Sequence, residues 1–347
     1  MLVGKTRFQA YPLVLSVLVA IMLSGYPLGS LEKPLRSMHI VYANSKIGGM
    51  VADSGTVLTT TDGGITWKRQ QSEVSDDIFR VTFVTSKTGW AVGDNGTILT
   101  TTDGGTTWHK QQSGVSARFY SAIFLTSQIG WAVGDNEIIV ATTDGGRTWN
   151  KQNRGSVFPP ILYSICFVNA NNGWTTGDSG TILATTDGGM IWNRQKSGVS
   201  NMLFSVSFVN SKIGWTVGND GIILTTNDGG KTWHRQKSGF SGYLLSVTFI
   251  NSKTGWAVGT DGTILATTNG GRNWNRQKSG FSGYLLSVTF VTSKTGWAVG
   301  DNGTILTTTD GGTTWHKQQS GVSIELYSVT FINSKTGWAA GGDVDIR

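Results

Sequence analysis

Asp62, Asp103, Asp144, Asp187, Asp228 and Asp310 carry carboxylates that could serve acid–base catalysis or hold a cation. Each is followed by two glycines and recurs at a near-constant step, with Asn269 in the remaining place of the series. Glycoside hydrolysis needs two carboxylates that are singular and face one cleft. A carboxylate repeated at every turn is instead a turn-former, accepting backbone N–H bonds within its own loop. The chain has four glutamates, Glu32, Glu73, Glu137 and Glu325, and they form no evident pair. Of its four histidines, His109, His234 and His316 repeat one slot in different copies, which is not the pattern of a metal set. Cys166 is the single cysteine, which excludes an internal disulfide. It fills the slot of Thr82, Thr248, Thr289 and Thr330 and reads as a small strand residue. No catalytic residue, metal ligand or cofactor site is assigned, and a non-enzyme is expected.

The elements that position these residues follow from the 14 tryptophans, which lie on two ladders. One runs Trp67, Trp108, Trp149, Trp192, Trp233, Trp274 and Trp315; the other runs Trp90, Trp131, Trp174, Trp215, Trp256, Trp297 and Trp338, and both step by 41 residues with a single step of 43. In one repeat, residues 286–291 alternate as a strand, 296–300 form a second and 304–308 a third, with 314–318 as the fourth. Asp301-Asn302-Gly303 and Asp310-Gly311-Gly312 supply the tight turns. Four antiparallel strands in about 41 residues make one propeller blade. The expectation is an all-β, seven-bladed β-propeller over residues 38–347, made of seven repeats and a C-terminal half repeat. The first two strands of the repeat occur eight times and the last two seven times, and Gly49 stands where the first tryptophan of the second ladder belongs. We therefore expect the ring to close within one blade, the hairpin at 326–341 pairing with that at 55–71 and residues 38–52 displaced or adding a partial blade; the alternative is sequential blades from residue 38 with a stray C-terminal hairpin. Residues 81–116 and 288–323 are identical, so blades have been copied as units.

Binding residues are expected where the copies differ. Arg80 replaces the serine found at 121, 164, 205, 246, 287 and 328 on the innermost strand, with Asp76, Asp77 and Phe79 just before it. Either Arg80 projects into the channel or it pairs with Asp76 and Asp77. Phe158 lies in the insertion that lengthens one step, and Tyr243 and Tyr284 occupy matching loops between blades. A basic residue follows each ladder tryptophan of the outer strand by two positions: Arg69, Lys110, Lys151, Arg194, Arg235, Arg276 and Lys317. These form either a guard against edge pairing or a girdle that docks an acidic partner.

Lys5 and Arg7 precede an apolar run from Pro12 to Leu23 and then small residues, the outline of a cleaved export signal or an uncleaved N-terminal anchor over residues 1–30. Tyr26 stands where the lipidated cysteine of a lipoprotein box would be, so no lipid anchor is expected. The formal net charge of +7 is spread around the repeats, which argues against nucleic acid as a partner. Export to a periplasm, lumen or exterior, with membrane-peripheral attachment at most, and a monomeric state are expected.

The recurring Ser-Lys-Thr-Gly-Trp-Ala-Val-Gly-Asp-Asn-Gly and Thr-Asp-Gly-Gly-Thr-Thr-Trp segments closely resemble the photosystem II stability/assembly factor propellers, built from BNR/Asp-box repeats. The resemblance covers residues 38–347. It implies a non-enzymatic scaffold that binds proteins of a membrane complex during assembly. The alternative is a sialidase- or glycosidase-like carbohydrate-active or carbohydrate-binding protein, since those enzymes share Asp boxes. Phe79-Arg80-Val81-Thr82 resembles the sialidase Phe-Arg-Ile-Pro element but lacks the proline.

Overall fold

The computed structural model describes residues 55–342 apart from 71, 73 and 153–158. The expected export signal, the segment 38–52 and Phe158 lie outside the described residues.

The described chain forms seven four-stranded antiparallel sheets, the blades of a β-propeller. The specimen repeat runs Leu285–Phe290, Gly296–Gly300, Thr304–Thr308 and His316–Gln318 from the axis outward. The second strand is buried throughout as Gly-Trp-Ala-Val-Gly, while the fourth exposes its charged residues. That gradient explains why the sequence alternates in the first strand and loses its alternation in the second. The two short 3₁₀ turns, Asp94–Gly96 and Asp135–Glu137, are the helical elements among the described residues.

The ring closes as expected. Thr56–Thr60 pairs antiparallel with Gly337–Gly342, with Thr59 opposite Trp338, and Lys68–Gln70 and Glu325–Phe331 complete that blade. No edge is left where the two distant parts of the chain meet, which removes a site for unwanted strand pairing.

Both tryptophan ladders belong to the joints between blades. Trp90 stacks on Phe124 of the next blade at 3.5 Å and 4°. Phe124 in turn meets Trp149 edge-on at 5.8 Å. The Trp90 indole also donates to the Gly145 carbonyl at 3.2 Å. The set recurs at every joint; at the closing one Trp338 stacks on Phe83 and donates to Gly104 at 2.9 Å. Seven phenylalanines (83, 124, 167, 208, 249, 290 and 331) are thus a third ladder. Gly89 lies under the Phe83 ring, whose atoms would stand 2.5 Å from a β-carbon there, so no larger residue fits.

Each Asp box is a closed hydrogen-bond set. In the first, Thr60 donates its hydroxyl to Asp62 at 2.8 Å and the Thr66 N–H donates at 2.9 Å. Gly63 and Gly64 take the positive φ angles, 79° and 91°, that the turn demands. Asn269 substitutes for Asp without loss of the cap, since its carbonyl accepts from Thr267 and from the Asn273 N–H, both at 3.0 Å. In these boxes the side chain of the Asp or Asn is taken up by bonds within its own turn.

Candidate functional site

Every inner strand carries a bulge, at its second residue in six blades and at the third, Tyr327, in Glu325–Phe331. A bulge re-aims the extra side chain, and here it turns Phe79, Tyr120, Tyr163, Phe204, Leu245, Leu286 and Tyr327 toward the axis, where they line a central cavity of about 90 Å³. Five of them are aromatic. Tyr327, Phe79, Tyr120, Tyr163 and Phe204 touch in sequence around the ring, with centroids 5.2–5.7 Å apart. Tyr243 extends the series at 6.2 Å from Phe204. The result is an aromatic collar just inside one mouth of the channel.

Above the collar lies a rim. The residue preceding the inner strand is Asp77, Arg118, Ile161, Met202, Tyr243 or Tyr284 in six blades, and in the closing blade Glu325, the first residue of the strand, takes that place. In six blades its carbonyl accepts from the turn between the second and third strands, as Arg118 does from the Asp135 N–H at 3.0 Å. The backbone is therefore fixed while the side chain differs from blade to blade. Tyr243 and Tyr284, expected on sequence grounds, are two of these rim residues and are half-buried. Burial and then the Asp301 carboxylate push the Tyr284 hydroxyl up to about 12.

Arg118 was not anticipated. Its Nε donates to Asp94, and its guanidinium lies 5.4 Å from the Phe79 ring centroid and 5.9 Å from that of Tyr120. Burial opposes its charge, but Tyr120, Asp94 and Asp135 outweigh burial and hold the guanidinium firmly protonated. Tyr120 donates to Asp135 at 3.1 Å and Tyr163 donates to Asp178 at 2.6 Å. Burial raises both aspartates above the usual carboxylate range, and Asp301 likewise. Glu325 is displaced furthest, to about 7, by burial and by the neighbouring charges of Asp301 and Asp77. The mouth therefore combines aromatic surface, several carboxylates and one engaged arginine, a composition suited to gripping a peptide by stacking and hydrogen bonds.

The residues around Arg80 do not form one cluster. Asp76 accepts from Asn95 at 2.8 Å and Thr97 at 2.6 Å, and lies 3.5 Å from Lys110. Burial would raise its pKa, yet those donors bring it below the ordinary value. The possible Arg80–Asp76 pair is therefore absent, because the turn and the outer strand have claimed that carboxylate. Asp77 packs against Gly342 of the closing blade, and its charge is felt at Glu325 and Tyr327. Arg80 lines the channel beneath the collar beside Phe79. The basic residues Arg69, Lys110, Lys151, Arg194, Arg235, Arg276 and Lys317 all stand exposed on the outer strands, away from the channel. Lys110 is held by Asp76, and Arg276 donates to the Asp261 carbonyl at 3.3 Å and lies 5.8 Å from the Phe240 ring centroid.

The family described as photosynthesis system II assembly factor YCF48 matches residues 70–160, 156–239 and 277–346, and a BNR/Asp-box repeat matches 58–69. No match was found among curated proteins. Similar solved structures include a YCF48 bound to a D1 peptide, 24% identical, with a TM-score of 0.67 over 78% of this chain and 92% of that one. YCF48 from Cyanidioschyzon merolae is 22% identical, with a TM-score of 0.67 over 80% and 97% of the two chains. An ancestral GH74 enzyme, 14% identical, aligns at a TM-score of 0.63 over 83% of this chain but 45% of its own. These likenesses show a shared fold. The matched segments together span well over half of the sequence, and the chain belongs to the photosystem II assembly factor (YCF48) family of BNR-repeat propellers.

Proposed function

We propose that this propeller is a non-catalytic, exported scaffold that holds a segment of a partner protein at the collar and rim during assembly of a membrane-protein complex. The observation that carries this reading is the distribution of difference. The joints and Asp boxes repeat almost unchanged, whereas the rim slot holds Asp77, Arg118, Ile161, Met202, Tyr243, Tyr284 and Glu325 in turn. Side chains that vary on a fixed backbone suit recognition of one asymmetric partner. Family membership supports the reading, as does the relative whose structure holds a D1 peptide.

A labelled D1 peptide titrated onto the purified chain tests this. Binding is expected to weaken at least tenfold in a Tyr120→Ala/Tyr163→Ala variant and to persist in Lys317→Ala. Equal binding by both variants, or none by the parent chain, would count against the scaffold reading. Turnover of a sialoside or β-glucan would refute its non-catalytic part.

A further inference from the structure

The serine that follows the bulge of the inner strand has a defined task. Its hydroxyl oxygen accepts a backbone N–H from the next blade, as Ser121 does from Ile165 at 3.4 Å and Ser246 from Val288 at 3.2 Å. Six such bonds encircle the channel, the last joining Ser328 to Val81 at 3.3 Å. The seventh place is Arg80, so Ala122 of the following blade meets no hydroxyl there. A guanidinium has replaced a bond that every other joint makes.

That guanidinium has no hydrogen-bond or ion-pair partner among the described residues, and its Nε is wholly buried. Burial lowers its pKa, and the one group felt in the opposite sense is the Cys166 thiol, two blades away. The thiol cannot serve as a counter-ion at neutral pH, since burial pushes it up to about 11. Arg80 is half-buried, its buried Nε lacks a partner at a cost, and a planar guanidinium is suited to a carboxylate. The cavity it lines, about 90 Å³, exceeds by several-fold the ~10–15 Å³ that one water requires. Ser121, Ser164, Ser205 and Ser246 also line it. Their oxygens already accept, which leaves each hydroxyl proton to donate.

We infer that Arg80 and the serine belt form a carboxylate-binding site in the channel beneath the aromatic collar. The carboxylate is either a free small anion or the end of a polypeptide. The site goes beyond the scaffold reading, because a free carboxylate would fill it with no partner protein present. The carboxylates of the rim stand above it, and their repulsion keeps the affinity weak, roughly millimolar for a small anion.

The test is titration of isotopically labelled acetate, and separately of a short peptide with a free α-carboxylate and of its C-terminal amide. The parent chain, Arg80→Ser and Arg80→Lys are compared at neutral pH and constant ionic strength. Arg80→Ser supplies the missing seventh hydroxyl and is expected to fold with an undiminished melting temperature. Acetate should bind the parent saturably and Arg80→Ser at least tenfold more weakly, with Arg80→Lys between them. If the peptide acid shows that dependence on Arg80 and acetate does not, the carboxylate comes from a polypeptide. Equal binding by parent and Arg80→Ser, or saturable binding by none of the probes, overturns the inference. Loss of D1-peptide binding in the collar variant, with acetate binding intact, would separate this site from the scaffold site.

Discussion

Replacing Trp338 by alanine should open the ring where it is sealed. The side chain is 1% exposed, stacks on Phe83 at 3.5 Å and 5°, and donates to the Gly104 carbonyl at 2.9 Å. Truncation of a buried tryptophan costs roughly 3–5 kcal/mol, the stacked pair adds about 1, and the lost indole bond about 1 more. These contributions overlap, so about 5 kcal/mol is expected, a third or more of the ~5–15 kcal/mol that holds a domain together. Trp338→Phe keeps a stacking ring and loses the N–H, and should cost about 2 kcal/mol. Trp256→Ala is the internal control, since Trp256 is 2% exposed, stacks on Phe290 at 3.4 Å and donates to Gly311 at 3.0 Å. Urea unfolding should show similar losses for both alanine variants. Hydrogen exchange should separate them: only Trp338→Ala exposes the amides of Thr56–Thr60, whose partner strand lies far away in the chain. A loss below about 1 kcal/mol, or a phenylalanine variant as damaged as the alanine one, would refute the stacking argument.

Asp62, Asp103, Asp144, Asp228 and Asp310 are held at about 2, chiefly by threonine hydroxyl donors, against an ordinary 3.8. A depressed folded pKa stabilises above the unfolded value, so melting temperature should hold above pH 4 and fall as pH drops toward 2; a flat profile there would contradict it. Glu325 is raised from 4.5 to about 7, so its effect has the opposite sign: stability falls as pH rises from about 4.5 through 7. At 1.36 kcal/mol per unit the penalty is at most about 3 kcal/mol, and Glu325→Gln should stabilise at pH 8 but not at pH 4; an equal gain at both would exclude ionisation as the cause. In the fourth box Ile191 is 60% exposed and offers Asp187 only its N–H, at 3.0 Å. Ile191→Thr should restore the hydroxyl donor, stabilise by about 0.5–1 kcal/mol, and lower the Asp187 pKa further, as read by NMR titration.

The architecture was legible because one residue type marks each feature. Tryptophan every 41 residues gave the blades, and Trp338, unmatched at Gly49, pointed to the closing pair now seen as Thr59 opposite Trp338. The phenylalanine ladder had the same period but lay among other apolar strand residues, so its joint role needed coordinates. The collar was hidden for a different reason. A bulge places two non-alternating residues side by side, and Phe79 or Tyr163 then reads as one more core position rather than a channel wall. Arg118 could have been found: the column that holds Tyr243 and Tyr284 also holds Arg118 and Glu325, and comparing that column across all copies exposes the rim. Arg80 stood out as a break in a serine column, but its lack of a partner depended on Asp76 having been taken by Asn95, Thr97 and Lys110.

The joints between blades carry a consequence for how such a chain changes over time. Each blade brings an indole for the next blade, and a phenylalanine and a glycine carbonyl for the one before. A copied blade is thus an interchangeable part that arrives with both halves of its couplings, which fits the 36-residue identity between 81–116 and 288–323. The collar and rim residues take no part in these indole couplings. Selection can therefore rewrite the collar and rim one blade at a time while the ring that holds them keeps its strength.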